Sequence, residues 1–300
     1  MENLAKLEIR RQRLYQDYNK KLKMGTLFIV IALLIGLIGF LTQLLPLFIV
    51  AAVVAIVSFV FFGQSAAVRS SFRTLIKSDL ITTLLQESFD NVYYDARATI
   101  PIATIMKTGM VKRPDRFSGE DYIRGTYKSV QFEVSDVDLK ERVETRDSKG
   151  NVHVSYQTYF KGRWYIYKFE RHFKDILKIA EGRGWQVKTN NLVKIETESI
   201  EFNKKFSIWA STQEYGFYHI TSSMIEKLME LEKLHKGSIL YYYEGNELHV
   251  GVNDRRDYME ISLKTPITEE GLKDFMVDIN LIPAIINELR LDSSKFKNTL

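Results

Sequence analysis

One stretch of this chain constrains its fold more than any other. From Met24 to Val68 there is no Asp, Glu, Lys, Arg or His, and most positions are Leu, Ile, Val, Phe, Ala or Gly. A single helix over residues 25–62 would be about 57 Å long, roughly twice the hydrocarbon thickness of a bilayer. One straight span therefore fits poorly, and two spans fit well.

The break between the two spans is marked by polar and helix-breaking residues in the middle of the run: Thr42, Gln43 and Pro46. We predict transmembrane helices at 25–41 and 47–63, each close to the minimum length for crossing a bilayer. Small residues recur along both spans, and we expect Gly36, Gly39, Ala51 and Ala55 to allow close helix packing in lipid. Small residues are also simply frequent in membrane helices.

Basic residues flank both spans. They are Lys20, Lys21 and Lys23 before the first span and Arg69, Arg73 and Lys77 after the second. Because the turn between the spans carries no charge, the positive-inside rule predicts a two-span cell-membrane protein with both termini in the cytoplasm. A cleaved signal peptide is a weaker interpretation, because the apolar run is much longer than a signal-peptide core.

The net charge of +5 is concentrated beside the apolar run. Residues 1–24 hold seven basic and three acidic side chains, a surplus of +4. A nucleic-acid-binding domain normally has a concentrated basic face, so this distribution favours a membrane partner and argues against nucleic acid. The chain has no cysteine, which excludes disulfides, thiolate metal sites and a cysteine nucleophile.

The pattern divides the chain into four segments: a basic juxtamembrane helix at 1–24, the transmembrane hairpin at 25–63, a helical stalk at 64–110 and a soluble domain at 111–300. Apolar residues near helical spacing on both sides of the hairpin predict the stalk. An interfacial helix with its basic residues on anionic lipid is the alternative.

The soluble domain is predicted to be α+β, with an aromatic-rich antiparallel sheet and flanking helices. We interpret residues 109–125 as a connection, and alternating apolar and polar residues predict several strands. These strands are 126–135, 152–160, 163–169, 192–197, 206–210 and 215–220. Ser222 is expected to cap a helix over 224–235, and 238–252 is expected to form a hairpin about a turn at 244–246. A final helix over 268–291 contains Pro283, which predicts a kink or a split.

Several motifs of the chain are similar to those of a bacterial membrane-protein family of unknown function, numbered 3137. They are FSGEDYIRG at 117–125, FKGRWYIYKF at 160–169, IEFNKKFSIWA at 200–210, YHITSSMIEKL at 218–228 and IINELRL at 285–291. The resemblance spans most of the chain and implies a two-span membrane protein. Some members are encoded beside LemA-type proteins, so it also implies a LemA-type partner, but it supplies no catalytic residue.

No catalytic, cofactor or metal motif stands out. The five histidines are scattered without metal-ligand spacing, and the glycines form no phosphate-binding loop. Glu120 and Asp121 are an adjacent acidic pair that could bind a cation or act in acid–base chemistry, although such pairs are more often solvated or at a helix cap.

A basic and aromatic strand is the sharper candidate for ligand or lipid contact. Its candidate residues are Lys161, Arg163, Trp164, Tyr165, Arg171 and His172. The structural alternative is a sheet strand with Trp164 and Ile166 on one face and Arg163, Tyr165 and Tyr167 on the other, because aromatic strand residues normally pack.

The sequence thus favours a membrane-tethered cytoplasmic binding or scaffold module that engages a protein partner or inner-leaflet lipid, with no cofactor. A membrane-anchored hydrolase or transferase with an unrecognised active site is the alternative. A transporter is disfavoured, because two short spans without an ionisable residue offer no pathway.

Overall fold

A computed structural model describes residues 2–72, 77–182, 184–234, 237–256, 259, 262–268 and 270–298. The chain forms two compact units. The first combines Met1–Thr83 with Ile261–Asp274, and the second combines Leu84–Glu260 with Phe275–Leu300.

The first unit contains a hairpin of two long helices, α1 (Glu2–Thr42) and α2 (Leu45–Ser71). Between them Gln43 has a φ of +58°. Pro46 lies in the first turn of α2, where a missing backbone N–H costs no helical hydrogen bond. The predicted juxtamembrane helix and first span form one continuous helix.

Small residues line the contact between α1 and α2. A Cβ placed on Gly36 would lie 3.9 Å from the Cβ of Ala51, and one on Gly39 would lie 3.1 Å from the Cβ of Leu47. The buried Ser58 Oγ donates a 2.7 Å hydrogen bond to the carbonyl oxygen of Gly25. Ala55 is half-buried.

Away from this contact the hairpin exposes large apolar side chains. Leu41 is 72% exposed and Phe59 is 67% exposed. A helix in a soluble core would bury such residues, whereas lipid-facing helices leave them outward. Both helices are long and apolar enough to cross a bilayer.

The second unit is built on an antiparallel sheet. Its strands are β1 (Asp90–Asp95), β2 (Arg116–Tyr127), β3 (Val130–Arg146), β4 (Val152–Glu181), β5 (Val193–Ile195), β6 (Phe206–Ala210) and β7 (Ser238–Asn253). The order is β1-β2-β3-β4-β6-β5, and β7 also pairs with β4. The long strand β4 therefore organises the sheet.

Of the remaining helices in the described part of the chain, one precedes β1, and the others lie between the strands or after them. They are α3 (Lys77–Ser88), α4 (Ile102–Lys107), α5 (Ile200–Lys205), α6 (Gln213–His219), α7 (Ser222–Leu234), α8 (Lys273–Glu288) and a 3₁₀ helix (Ser294–Phe296). Pro283 lies inside α8 without splitting it. The prediction of two apolar helices followed by an α+β domain is confirmed.

Strand β4 buries both of its faces. Trp164 and Ile166 pack in a hydrophobic cluster on one face. On the other face, the rings of Tyr165 and Tyr167 stack with centroids 6.1 Å apart. Tyr167 Oη donates a hydrogen bond of 3.2 Å to the carbonyl oxygen of Ile282 in α8, so this helix covers the second face.

The predicted strand over 215–220 is wrong, because residues 215–219 belong to α6 and Ile220 caps its C-terminus. Thr212 caps this helix by accepting a 3.1 Å hydrogen bond from the Tyr215 backbone N–H. The aromatic composition of the segment favours a strand, but the Thr212 cap and the packing of the segment in the fold stabilise a helix instead. The next helix is also capped one residue earlier than predicted, because Thr221 Oγ1, rather than Ser222, accepts from the Met224 N–H.

The predicted hairpin over 238–252 is also wrong, since β7 is one strand whose two halves pair with β4. Gly245 has a φ of +62°, so the turn signal of residues 244–246 marks an irregularity within a strand. The strands predicted at 152–160 and 163–169 are likewise parts of the single strand β4.

Three boundaries around β1–β3 differ from the expectations. Residues 116–125, interpreted as connection, belong to β2. The strand expected over 126–135 is divided by a turn at Lys128 and Ser129, which have φ values of +49° and +67°. The stalk segment contains β1, in which only Val92, Tyr93 and Tyr94 favour a strand, between Asp and Asn residues that do not.

Candidate functional site

An irregularity in the pairing of β4 with β7 exposes two of the candidate residues, Arg171 and His172. Lys168 pairs with Glu247 and Phe173 pairs with Gly245, so the four residues 169–172 lie opposite the single residue 246. A Cβ on Gly245 would lie 3.2 Å from Cε1 of His172, so glycine allows this close approach. Arg171 and His172 are consequently exposed at a bulge, where a side chain is redirected from the ladder.

Arg171 lines a cavity of about 620 Å³, here named the basic pocket. Its other walls come from α6, α7, the end of α8 and the 3₁₀ helix. Its charged lining residues are Arg171, Lys227, Arg290, Lys295 and Glu288. The volume lies within the range of small-molecule sites.

His219, at the end of α6, lines the pocket and packs among aromatic rings. It is 4% exposed, and its ring centroid lies 4.7 Å from that of Tyr215 and 5.2 Å from that of Tyr243. Burial, reinforced by the positive charges of Lys295 and Arg171, lowers the pKa of His219 to about 3. The imidazole is therefore neutral at physiological pH.

The Nε2 atom of His219 is buried and has no hydrogen-bond partner among the residues that the structure describes. A buried polar atom without a partner costs about 1–3 kcal/mol of desolvation free energy. A ligand that satisfied this nitrogen would recover that cost.

Two cations, Arg171 and Lys295, are positioned beside the exposed ring of Tyr218. Lys295 Nζ lies 4.6 Å from the ring centroid and donates a 3.2 Å hydrogen bond to the Tyr218 carbonyl oxygen. Arg171 Nη1 donates to Tyr218 Oη at 3.2 Å and to the Lys295 carbonyl oxygen at 3.3 Å. Burial, with a smaller contribution from Arg171, lowers the pKa of Lys295 to about 8.

The acidic residue of the lining is paired with the fourth cation. Lys227 Nζ donates to the Glu288 carbonyl oxygen at 2.7 Å and lies 3.1 Å from its Oε2. With this pair neutralised, Arg171, Arg290 and Lys295 leave the pocket positively charged. Cations, a neutral imidazole and aromatic rings together suit a bound anion.

A second cavity of about 470 Å³ has a mainly apolar lining and is here named the apolar cavity. It lies between β7, α7 and α8, with Tyr241, Val250 and Leu281 among its lining residues. Lys227 and Glu288 line both this cavity and the basic pocket. The two cavities are therefore neighbours across one ion pair.

The predicted contact residues are divided by burial. Arg163, Trp164 and Tyr165 are at most 1% exposed. Arg163 Nε donates to Asp136 Oδ1 at 2.9 Å, and Trp164 Nε1 donates to His249 Nδ1 at 3.2 Å.

The remaining predicted residues are at least partly accessible, and Arg171 is the one that lines the basic pocket. His172 is exposed beside it, and Lys161 lines a separate cavity of about 270 Å³. Sequence reasoning missed His219, Tyr218 and Lys295. No local pattern links them to Arg171, because the fold joins positions that are 47 to 124 residues apart in the chain.

The side chains of the acidic pair, Glu120 and Asp121, lie in different surroundings. Glu120 lines the 270 Å³ cavity, whereas Asp121 is 1% exposed and accepts a hydrogen bond from Tyr94 Oη. Within the described part of the chain, no three His, Asp or Glu side chains are grouped as a metal site.

A family model described as "Protein of unknown function (DUF3137)" matches residues 158–291. The matched range includes Arg171, His219 and Lys227 and ends before Lys295; the hairpin lies outside it. Among curated proteins, none matches this chain. A solved structure titled "crystal structure of the mycobacterial trehalose monomycolate transport factor A, TtfA" is similar at 7% identity and a TM-score of 0.35, covering 69% of this chain and 92% of that chain.

Proposed function

We propose that this chain, whose residues 158–291 match the DUF3137 family model, is a membrane-tethered binding module. Its sheet domain binds an anionic group in the basic pocket, and its helical hairpin holds that domain at a membrane. In this proposal the domain is cytoplasmic and the anion belongs to inner-leaflet lipid or to a soluble ligand. A LemA-type protein partner stays a prediction.

One observation supports anion binding most strongly: His219 lines a pocket with an excess of cations, and its buried Nε2 has no hydrogen-bond partner among the described residues. In the tautomer that carries a proton on Nε2, this nitrogen donates a hydrogen bond without adding charge. Arg171 and Lys295 supply the charge. A neutral hydrogen-bond donor together with two cations binds an anion more tightly than exposed surface cations do, because exposed cations compete with water for it.

The same geometry disfavours the hydrolase or transferase alternative. A general base works best with a pKa near the working pH, and the pKa of His219 is lowered to about 3. Its Nε2 contacts no hydroxyl among the described residues, so the pocket shows no nucleophile–base pair of the kind that activates Ser or Thr. Binding without turnover is the function that the geometry supports best.

Calorimetric titration of the full chain with inorganic phosphate tests this function. The protein is kept in a non-ionic fluorinated surfactant, so that no lipid headgroup competes. We expect saturable binding that Arg171→Met or Lys295→Met weakens about tenfold or more, because each removes a charge-assisted hydrogen bond. Lys295→Arg should retain most of the affinity.

Lys174→Met is the matched control, since Lys174 is exposed on the same strand and does not line the pocket. It should bind phosphate as the unmodified chain does. Absence of saturable binding, or equal weakening by Lys174→Met and Lys295→Met, would contradict the proposal.

A further inference from the structure

We infer that the ligand is a single-chain anionic amphiphile, whose anionic group occupies the basic pocket and whose hydrocarbon chain occupies the apolar cavity. This inference rests on the proposed function and extends it from an anion to a class of molecule. It follows from the position and lining of the second cavity and from the charge of the pocket beside it.

Position is the first argument. The Lys227–Glu288 pair lines both cavities, so the two spaces adjoin at this pair. Lys227 is half-buried, and its ammonium group is held by the Glu288 carbonyl and carboxylate. A ligand headgroup beside Lys227 therefore has an apolar space directly behind it.

The lining of the cavity is the second argument. Strand β7 contributes Val250 and Val252, and α8 contributes Leu281, Ala284 and Ile285. These side chains border a space that other protein atoms leave unfilled, and α8 also presents Val277 at 57% exposure. Each methylene that a ligand buried there would raise affinity by up to about fourfold.

The charge beside the cavity distinguishes an amphiphile from an apolar protein segment. Arg171, Arg290 and Lys295 leave the adjoining basic pocket positively charged. An occupant of both spaces therefore carries an anionic group next to an apolar chain.

An alkyl phosphate series tests the inference with the full chain in the same fluorinated surfactant, whose chains mix poorly with hydrocarbon. Inorganic phosphate, butyl phosphate and octyl phosphate are titrated in turn, with surfactant alone as the blank. We expect octyl phosphate to bind at least tenfold more tightly than butyl phosphate. Inorganic phosphate should bind most weakly.

Ala284→Phe is designed to fill the apolar cavity without touching the basic pocket. It should remove the dependence on chain length and leave the affinity for inorganic phosphate within twofold. Asn280→Phe is the matched control, because Asn280 is exposed on the same helix and does not line the cavity. It should preserve the chain-length series.

The outcomes separate the two proposals. Binding of all three phosphates with equal affinity would overturn the amphiphile inference and leave anion binding intact. Chain-length dependence that persists in Ala284→Phe would place the alkyl chain elsewhere and also overturn it. Failure of every phosphate to bind would overturn the proposed function itself.

Discussion

At the scale of single residues, burial decides the chemistry of the pocket. His219 and Lys295 are ordinary titrating side chains in water, with pKa values near 6.5 and 10.5. In the fold both pKa values fall, because burial penalises the charged form of each. The result is a neutral imidazole beside a cation that titrates near pH 8.

The lowered pKa of Lys295 predicts pH-dependent anion binding. Its ammonium form is present below about pH 8 and is lost as the pH rises. We expect sulfate, whose own charge is constant over this range, to bind progressively more weakly between pH 7 and pH 9.5. Titrations of Lys295→Met should show a flat profile over the same interval, and an equally steep profile in that variant would refute the assignment.

The lowered pKa of His219 predicts acid sensitivity of the fold. The unfolded chain takes up a proton near pH 6.5, whereas the folded chain resists protonation until about pH 3. Its contribution to stability is therefore complete above pH 6.5 and is lost as the pH falls, by about 2–3 kcal/mol at pH 4.5. Thermal melts between pH 7 and pH 4.5 should show a smaller fall in Tm for His219→Gln than for the unmodified chain.

At the scale of elements, part of the fold could be predicted and part could not. The hairpin follows from an uninterrupted apolar run, and β6 has the predicted bounds because FSIWA alternates cleanly. Helix α6 was mistaken for a strand, since its aromatic residues outweighed the cap at Thr212. Of the residues that line the basic pocket, only Arg171 could be predicted. The pocket depends on a bulge in β4 and on the return of residues 288–296 to the sheet, and neither has a local sequence pattern.

The helical hairpin offers a direct test of its own packing. The chain has no cysteine, so disulfide formation by two introduced cysteines reports only on the distance between those two positions. A Cβ on Gly36 would lie 3.9 Å from that of Ala51, within the range of disulfides. We expect Gly36→Cys with Ala51→Cys to oxidise readily and to resist a maleimide reagent until reduced.

Gly36→Cys with Val53→Cys is the control for that pair, because Val53 is 55% exposed on α2. Its thiols should stay reactive under the same oxidant. Similar oxidation of both pairs would show that the helices do not meet along Gly36 and Ala51.

At the scale of the whole molecule, the proposed function gives the two units different roles: the hairpin locates the protein at a membrane and the sheet unit binds the anion. The positive-inside pattern predicts that the turn at residue 44 faces outward and that the sheet unit is cytoplasmic. Single cysteines test this in intact cells. A membrane-impermeant maleimide should label Leu44→Cys from outside, and it should label Lys149→Cys only after lysis.

The central claim is that an anion binds against His219 in the basic pocket, and histidine NMR tests it most directly. The full chain is labelled with ¹⁵N-histidine and titrated with sulfate, and the His219 resonance is assigned by its loss in His219→Gln. We predict a saturable shift of the His219 Nε2 signal, and we expect Lys295→Met to need about tenfold more sulfate for the same shift. A signal that stays unmoved at saturating sulfate, or that saturates at the same sulfate concentration in Lys295→Met, would contradict the claim.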